Sequence, residues 1–511
     1  MSRHVRVTTA VGCVAFACLV AVEASPPANL REKVERYVQQ HQKAIVGELV
    51  TLLSIPNDSA DQENIRENAA LLREMLAARG FEAELLETQG NPLVYGERRV
   101  RDASRTVLLY IHYDGQPVDS SQWAQADPFT PVLRDGRLEA GAREVPGLDS
   151  LERFDRDWRL YARSASDDKS PIVALCAAID ALDAADVRPS SNLRVLLDGE
   201  EEGGSPSLVP AIDAYRDKLT ADVMLIFDGP AHSSGKPTLV FGARGIAPVE
   251  ITVYGPRFPL HSGHYGNWAP NPAMRLAQLL ASMKDREGRV LVEGFYDGIG
   301  PVSPEEQAIL DGVPDDLPSL MRLFGLAEPE RPGLSLQEAL QRPTLNVRGM
   351  SSAYVGQQAR TIIPEAAIAA MDIRLVKETR ARDMIQKVLA HVRRQGYHVV
   401  EDDPDDDTRA LYPRIARIRA RGGTNAFRTS PLLPESERIT TALALVFGAA
   451  PVRIRTMGGT LPITPFIEAL GFPAIIVPTV NFDNNQHSAN ENVRIGHVFD
   501  AVVAMAAVLT M

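Results

Sequence analysis

The sequence predicts an α/β fold: a mostly parallel central sheet with helices on both faces, interrupted by an inserted α+β domain. Three observations predict it. Strand-like and helix-like segments alternate up to about residue 244. The texture changes after "TLVFGARG", and a Pro-rich stretch follows. A helix, a buried-looking strand and a helix then return at the C-terminus.

Taken in order, residues 29–53 carry an amphipathic helix that Pro56 ends, and residues 62–79 a second one that Gly80 stops. "FEAELLE" and "RTVLLYIHYDG" predict strands. Helix "SPIVALCAAIDALDAA", strand "SNLRVLLDG", helix "SPSLVPAIDAYRDKL" and strand "ADVMLIFDG" continue the alternation. Inside the insert, "IAPVEITVYG" and "EAAIAAMDIRLV" read as strands, and residues 272–283 and "RARDMIQKVLAHVRRQG" as helices; 301–343 is rich in proline. "SERITTALALVFG", "FPAIIVPTV" and "RIGHVFDAVVAMAAVL" complete the first unit. The boundaries are 1–24 for a leader, 25–244 and 429–511 for the two parts of the α/β domain, and 245–428 for the insert. The run "EDDPDDD" at 401–407 reads as a solvated turn.

A chain of 511 residues is too long for one ordinary core. Its hydrophobic content of 45% and charged content of 23% are those of a globular protein. A formal net charge of −12 with no long basic run argues against a nucleic-acid partner. The N-terminus is distinct. Arg3, His4 and Arg6 precede an apolar run, and Val22-Glu23-Ala24 precedes Ser25. That pattern predicts a secretory signal peptide, a secreted or periplasmic protein, and no membrane segment in the mature form. Cys13 and Cys18 lie in this leader without a convincing lipid-attachment motif. Cys176 alone remains, as a small core residue, so the mature chain has no disulfide.

The chemistry gathers past strand ends. "VLLYI" runs into His112-Tyr113-Asp114, "LRVLLDG" into Glu200-Glu201-Glu202, and "VMLIF" into Asp228. "YARSAS" leads to Asp167-Asp168, and "AIIVPTV" to His487. In open α/β sheets the carboxyl ends of the strands form the ligand crevice. Each residue alone reads as an ordinary core histidine or turn carboxylate. Together, two imidazoles and several carboxylates at one rim match a divalent zinc site, possible also for two ions. Cations remove the repulsion within Glu200–Glu202 and within Asp167-Asp168, which Lys169 offsets only in part. Two metals about 3.5–4 Å apart need a bridging ligand and an activated water. One glutamate of the turn can then bind a metal while its neighbour takes the proton, and Gly203-Gly204 keep the turn narrow.

"HYDGQP", "SASDDKSP", "GEEEGGS", "FDG", "LHSG", "TIIP…DIRLV", "GGTLP" and "HSANE" resemble, in order, the motifs of the carnosinase, aminoacylase and glutamate-carboxypeptidase family of di-zinc metallopeptidases, dipeptidase branch above all. The resemblance runs from about residue 30 to the C-terminus. It implies a zinc-exopeptidase-like fold and two divalent ions per chain, zinc in the first place, with manganese or cobalt suited to the same donors. It implies His112 and Asp228 on one metal, Glu202 and His487 on the other, and Asp167 bridging them with a cis peptide to Asp168. Glu201 matches the general base, and Asp114 the carboxylate that orients the His112 imidazole. Glu200 falls outside the motif as a solvated neighbour.

For the insert, the resemblance implies a lid and dimerisation domain and a homodimer in which His261 reaches the partner's active site and stabilises the oxyanion; His264 competes for that role. Arg374 resembles the clamp for a free C-terminal carboxylate of a small peptide, and Thr361, Gly459 and Thr460 resemble substrate contacts. Ala162, Ser164 and Ser170 stand where the family often has glycine, which reduces the loop's backbone freedom. The implied function is hydrolysis of short peptides. The rivals are an N-acyl-amino-acid deacylase of the same family and a catalytically inactive metal-binding module.

Overall fold

The computed structural model describes residues 26–511 except Pro332. The leader with Cys13 and Cys18 lies outside the described residues. Among them, no helix is long and apolar enough to cross a membrane, and Cys176 is buried as a free thiol.

An eight-stranded mixed sheet is the centre of the molecule. Its middle is parallel: Asn192–Asp198, Thr106–His112, Val223–Ile226 and Ala474–Ile476 run side by side. The strands Glu82–Leu86 and Leu93–Arg98 add an antiparallel edge. Strands of a sheet covered on both faces are apolar throughout, because successive side chains point to opposite faces and both faces are dry. Val107, Leu109 and Ile111 enter one core, while Leu108 and Tyr110 enter the other. The first core is closed by helices Leu30–Leu53, Lys169–Ala184 and Ile495–Leu509. The last two are apolar on nearly every side, as helices packed all round must be.

A second sheet of five strands is built wholly from residues 245–420. Along Gly245–Tyr254, Ala247, Val249, Ile251 and Val253 face a separate core under helices Pro272–Ala281 and Ala381–Arg394. The segment leaves and rejoins the first unit at adjacent points: Gly242–Ala243 pairs with Phe427–Arg428, and Ile246 exchanges hydrogen bonds with Thr424. Strand Thr344–Ser351 forms one edge of this sheet, and all of it beyond Leu345 is exposed.

The Pro-rich stretch is more ordered than its composition suggests. Three helices lie in it, Pro304–Asp311, Leu317–Phe324 and Leu336–Leu340. Prolines sit at the first turn of two of them, where the missing N–H costs nothing. Ser303, Asp316 and Ser335 cap them. The acidic run also departs from a plain turn. Asp405 caps helix Asp406–Leu411, and Asp403 accepts from the Tyr254 hydroxyl at 2.5 Å and pairs with Arg417.

A candidate di-metal centre

The parallel register sets His112 beside Asp198 at the carboxyl end of the central sheet. Asp228 follows the neighbouring strand. A small third sheet pairs Arg159–Tyr161 with Asn492–Arg494, and that pairing carries the 162–168 loop to the 484–491 loop. Five segments therefore converge, and two clusters result. Ligand atoms of His112, Asp168 and Asp228 lie within 4.8 Å of one another; those of Asp167, Glu202 and His487 do the same.

Asp167 joins the clusters. One carboxylate oxygen meets His112 Nε2 at 2.8 Å, and the other meets His487 Nε2 at 3.0 Å. His487 is also 3.4 Å from Glu202. Burial would raise the Asp167 carboxyl, but the hydrogen bonds to His112 and His487 hold it below its ordinary value. The Asp167–Asp168 peptide is cis. Asp168 adds something the sequence reading did not assign. It is fully buried with Oδ1 unpartnered, and it points into the cluster of His112 and Asp228. Burial, then the charge of Asp228, push its carboxyl well up. Lys169 offsets none of this directly, because its ammonium turns away to the carbonyls of Leu52 and Ile55 at 2.8 and 2.9 Å.

The glutamate turn is a short 3-10 helix, Glu201–Gly203, closed by Gly204 at φ 94°, a conformation glycine adopts without strain. Asp114 holds it. Its two oxygens accept from the backbone N–H groups of Glu201 and Glu202 at 3.1 and 3.0 Å, and it lies 3.3 Å from His112 Nδ1. One buried carboxylate thus orients both the imidazole and the turn. Burial, and the charges of Asp228, Asp167 and Glu202, raise the Glu201 carboxyl well above its usual range against the pull of His112. Burial and Asp167 push Glu202 up to about 7 and Asp228 up to about 6. The hydrogen bond to Asp167 carries His487 up to about 9. So many carboxylates, two imidazoles and an orphaned oxygen fit divalent cations, which supply the missing positive charge.

Glu200 corrects the expectation of a solvated neighbour. It accepts from the backbone N–H of Asn91 at 2.9 Å and of Ser207 at 3.3 Å, and so braces the turn from behind. Glu491 ends the motif "HSANE", where the sequence assigns it no role. Wholly buried, it accepts from Ser164 N, Ser166 N, Ser166 Oγ and Asp167 N, each at 2.9 Å, and from Arg163 at 2.6 Å. It shapes the loop that presents Asp167. Ser164, at a position where glycine was expected, has φ 61°. Its hydroxyl accepts from Asn57 at 2.9 Å, and a side chain at Gly115 would meet it at 2.1 Å. Gln116 and Gln486 also reach the metal-site carboxylates Glu202 and Asp167, at 2.6 and 3.3 Å.

The remaining residues separate into two places. Arg374, on strand Ala366–Leu375, donates to Thr460 Oγ1 at 2.9 Å and so spans the two units. Gly459 is exposed beside Thr460. Around Arg374 lie Asp372, 3.7 Å away, and buried Arg244, whose guanidinium is lowered to about 10 by burial and by Arg374 itself. His261 is elsewhere, exposed on the two-stranded ribbon Leu260–His261 with Ile362–Ile363. It accepts from Gly263 N at 3.1 Å and lies 4.6 Å from the His264 ring. Thr361 is bound to the same turn through Ser262 N. Neither His261 nor Thr361 joins the metal-site clusters within one chain.

Known proteins resemble this chain in sequence and fold. The chain is 27% identical to the Cys-Gly metallodipeptidase dug1 of Schizosaccharomyces pombe over 80% of each chain. It is 27% identical to the Beta-Ala-His dipeptidase of Homo sapiens over 94% of this chain and 93% of that one. The structure of Sso-CP2, an M20 family metallo-carboxypeptidase from Sulfolobus solfataricus, superposes with a TM-score of 0.72 at 29% identity, covering 91% of this chain and 98% of that one. Human carnosine dipeptidase 1 shares the fold, with a TM-score of 0.70 at 24% identity over 95% and 99% of the two chains. The family model of peptidase family M20/M25/M40 matches residues 145–511, which hold Asp167, the glutamate turn, Asp228 and His487. With most of its length inside that match, together with the site residues from Asp167 onward, the chain belongs to peptidase family M20/M25/M40.

Proposed function

We propose that the protein is a di-metal dipeptidase that hydrolyses short peptides with a free C-terminal carboxylate. Its relatives are named Cys-Gly metallodipeptidases and Beta-Ala-His dipeptidases. The observation that carries the reading is Asp167, whose two oxygens face one imidazole each, with Glu201 buried among the same carboxylates. His112 and Asp228 would hold one ion, Glu202 and His487 the other, and Asp167 both. Asp168 stands by the first cluster. We assign zinc, which suits imidazole with carboxylate, and manganese and cobalt accept the same donors. Bound ions would supply Lewis acidity toward the peptide carbonyl and toward the attacking water.

The chain's own groups do the rest. Glu201 takes the proton of the attacking water and passes it to the leaving amine. Its raised affinity for a proton suits both steps. Asp114 keeps His112 and the Glu201 turn aligned. Arg374, already paired with the Thr460 hydroxyl, offers its fork to the substrate carboxylate; Thr361 and Gly459 complete the substrate contacts.

We further infer a homodimer. The exposed edge strand 344–351, and Trp268 and Phe258 at 79% and 61% exposure, support a subunit contact on the insert. There His261 would enter the site of the other copy and stabilise the oxyanion. The catalytic domain would comprise 25–244 and 429–511, with the lid at 245–428. The leader pattern supports a secreted or periplasmic location.

The experiment is metal content per chain, with hydrolysis of a panel of dipeptides and N-acyl amino acids before and after chelation. Two ions per chain and chelator-sensitive dipeptide cleavage are expected. Glu201→Gln should keep its metal and lose about 10²–10⁴ in kcat. Equal cleavage by this variant removes Glu201 from the mechanism. Cleavage of N-acyl amino acids alone makes the protein a deacylase, and no cleavage at all makes it a binding module.

A further inference from the structure

A cavity of about 310 Å³ lies in the insert, and no residue of the metal-site clusters lines it. Its size falls at the lower end of small-molecule sites, roughly 300–1,000 Å³. The wall includes Val290, Leu320, Met321, Phe324, Leu334 and Leu345. In "LPSLMRLF" the apolar positions 317, 320, 321 and 324 fall at the spacing of one helix face. Such a face is ordinarily buried against a core. Here helix Leu317–Phe324 has no buried residue, and Leu317, Phe324, Leu326 and Leu336 remain 37%, 64%, 51% and 40% exposed while lining the cavity. A contiguous apolar wall left open to water marks a binding surface.

The charges at its margin say what kind of ligand fits. Lys284 is neutralised by Glu330 at 2.6 Å. Arg331 and Arg342, which also line the cavity, have no carboxylate partner among the described residues. An apolar trough beside two uncompensated guanidiniums complements a molecule with an apolar chain and an anionic head, since the guanidinium fork matches a carboxylate. We propose that this cavity binds a soluble single-chain carboxylate, its chain along the 317–324 helix face and its head on Arg331 and Arg342. The site is independent of the peptidase reading.

Calorimetric titration of the full mature chain with decanoate tests it. One saturable site per chain is expected below the concentration at which decanoate self-associates. Arg331→Glu with Arg342→Glu should weaken binding about tenfold or more, the scale of a lost charged hydrogen bond. Decanol should bind more weakly by a similar factor. Met321→Trp, which fills the cavity, should abolish binding and leave peptide hydrolysis intact. If that variant does not fold, the surface arginine pair still decides. Absence of a saturable site, or equal binding of decanoate and decanol to wild type and the double variant, overturns the proposal. So does capture only by phosphatidylglycerol vesicles, which makes the face a membrane contact. A change in sedimentation of ligand-free Met321→Trp also overturns it, because the face then belongs to a second copy.

Discussion

The rim of the eight-stranded sheet and the outer edge of the five-stranded sheet treat polar groups in opposite ways. At the rim, His112, Asp114, Asp167, Asp168 and Glu491 are all buried, and each carboxylate except the Asp168 Oδ1 is bound by named donors. At the edge, strand 344–351 shows Val347 and Met350 to solvent and leaves its backbone groups available. Buried charge is costly unless it is paired, so the rim is preorganised around groups that a cation completes. An open edge is costly in another way, because it invites a further strand or subunit. The first region gathers buried charge that a cation can compensate, and the second leaves backbone and apolar groups open to water.

The sharpest test of that contrast is Asp167→Ala. It removes the one carboxylate shared by both imidazoles. We expect loss of bound metal and a fall in hydrolysis beyond the ~10²–10⁴-fold expected for losing a base. Two ions per chain in this variant, measured by elemental analysis, would break the comparison. Next comes Glu491→Gln, which preserves shape but sets an amide against five donors and leaves Arg163 without its counter-charge. Breaking a buried pair costs about 3–5 kcal/mol, and disturbing the support of a ligand weakens metal binding about 10–100-fold. Denaturation and metal titration read the two losses separately, and unchanged metal affinity would make Glu491 purely structural.

Arg374→Ala, on the insert's side of the cleft, should leave metal content alone. It should raise KM about tenfold or more for peptides with a free carboxylate, with little change for amidated ones. An equal effect on both would remove the clamp role. The smallest effect is on pH. In chelated protein, Glu202 and Asp228 are raised to about 7 and about 6, against ordinary values near ~4. A raised carboxyl binds its proton better when folded, so its contribution is present at low pH and lost as pH rises through 6 and 7. His487, raised to about 9, acts in the same direction, and Asp167 contributes a constant amount in this window. The melting temperature of chelated protein should therefore fall by a few degrees (roughly 1 °C per kcal/mol for a chain of this length) between pH 5.5 and 8, and added metal should remove the slope. A flat profile without metal would mean that the rim carboxylates do not repel.

Much of the site was legible because chemistry-bearing residues sit at strand ends, and strands announce themselves by composition. His112, Asp228 and Glu202 each follow an apolar run that could only be a buried strand. What the chain order concealed was pairing. Glu491 stands in "HSANE", yet its donors lie more than three hundred residues upstream. Asp168 and Asp167 are neighbours in sequence, but Asp168 faces one cluster while Asp167 touches both. Glu200 looked solvated because nothing local reveals that Asn91 and Ser207 close over it.

By itself, the order of apolar and polar residues determined the alternating architecture and which chemistry-bearing groups follow the ends of its strands. Those follow from local periodicity and from where a buried strand must end. Tertiary structure alone decided which carboxylate faces which imidazole, that Arg374 meets Thr460 across two units, and that His261 faces solvent. Such pairings depend on sheet register and loop conformation, which are set by contacts between residues far apart in the chain.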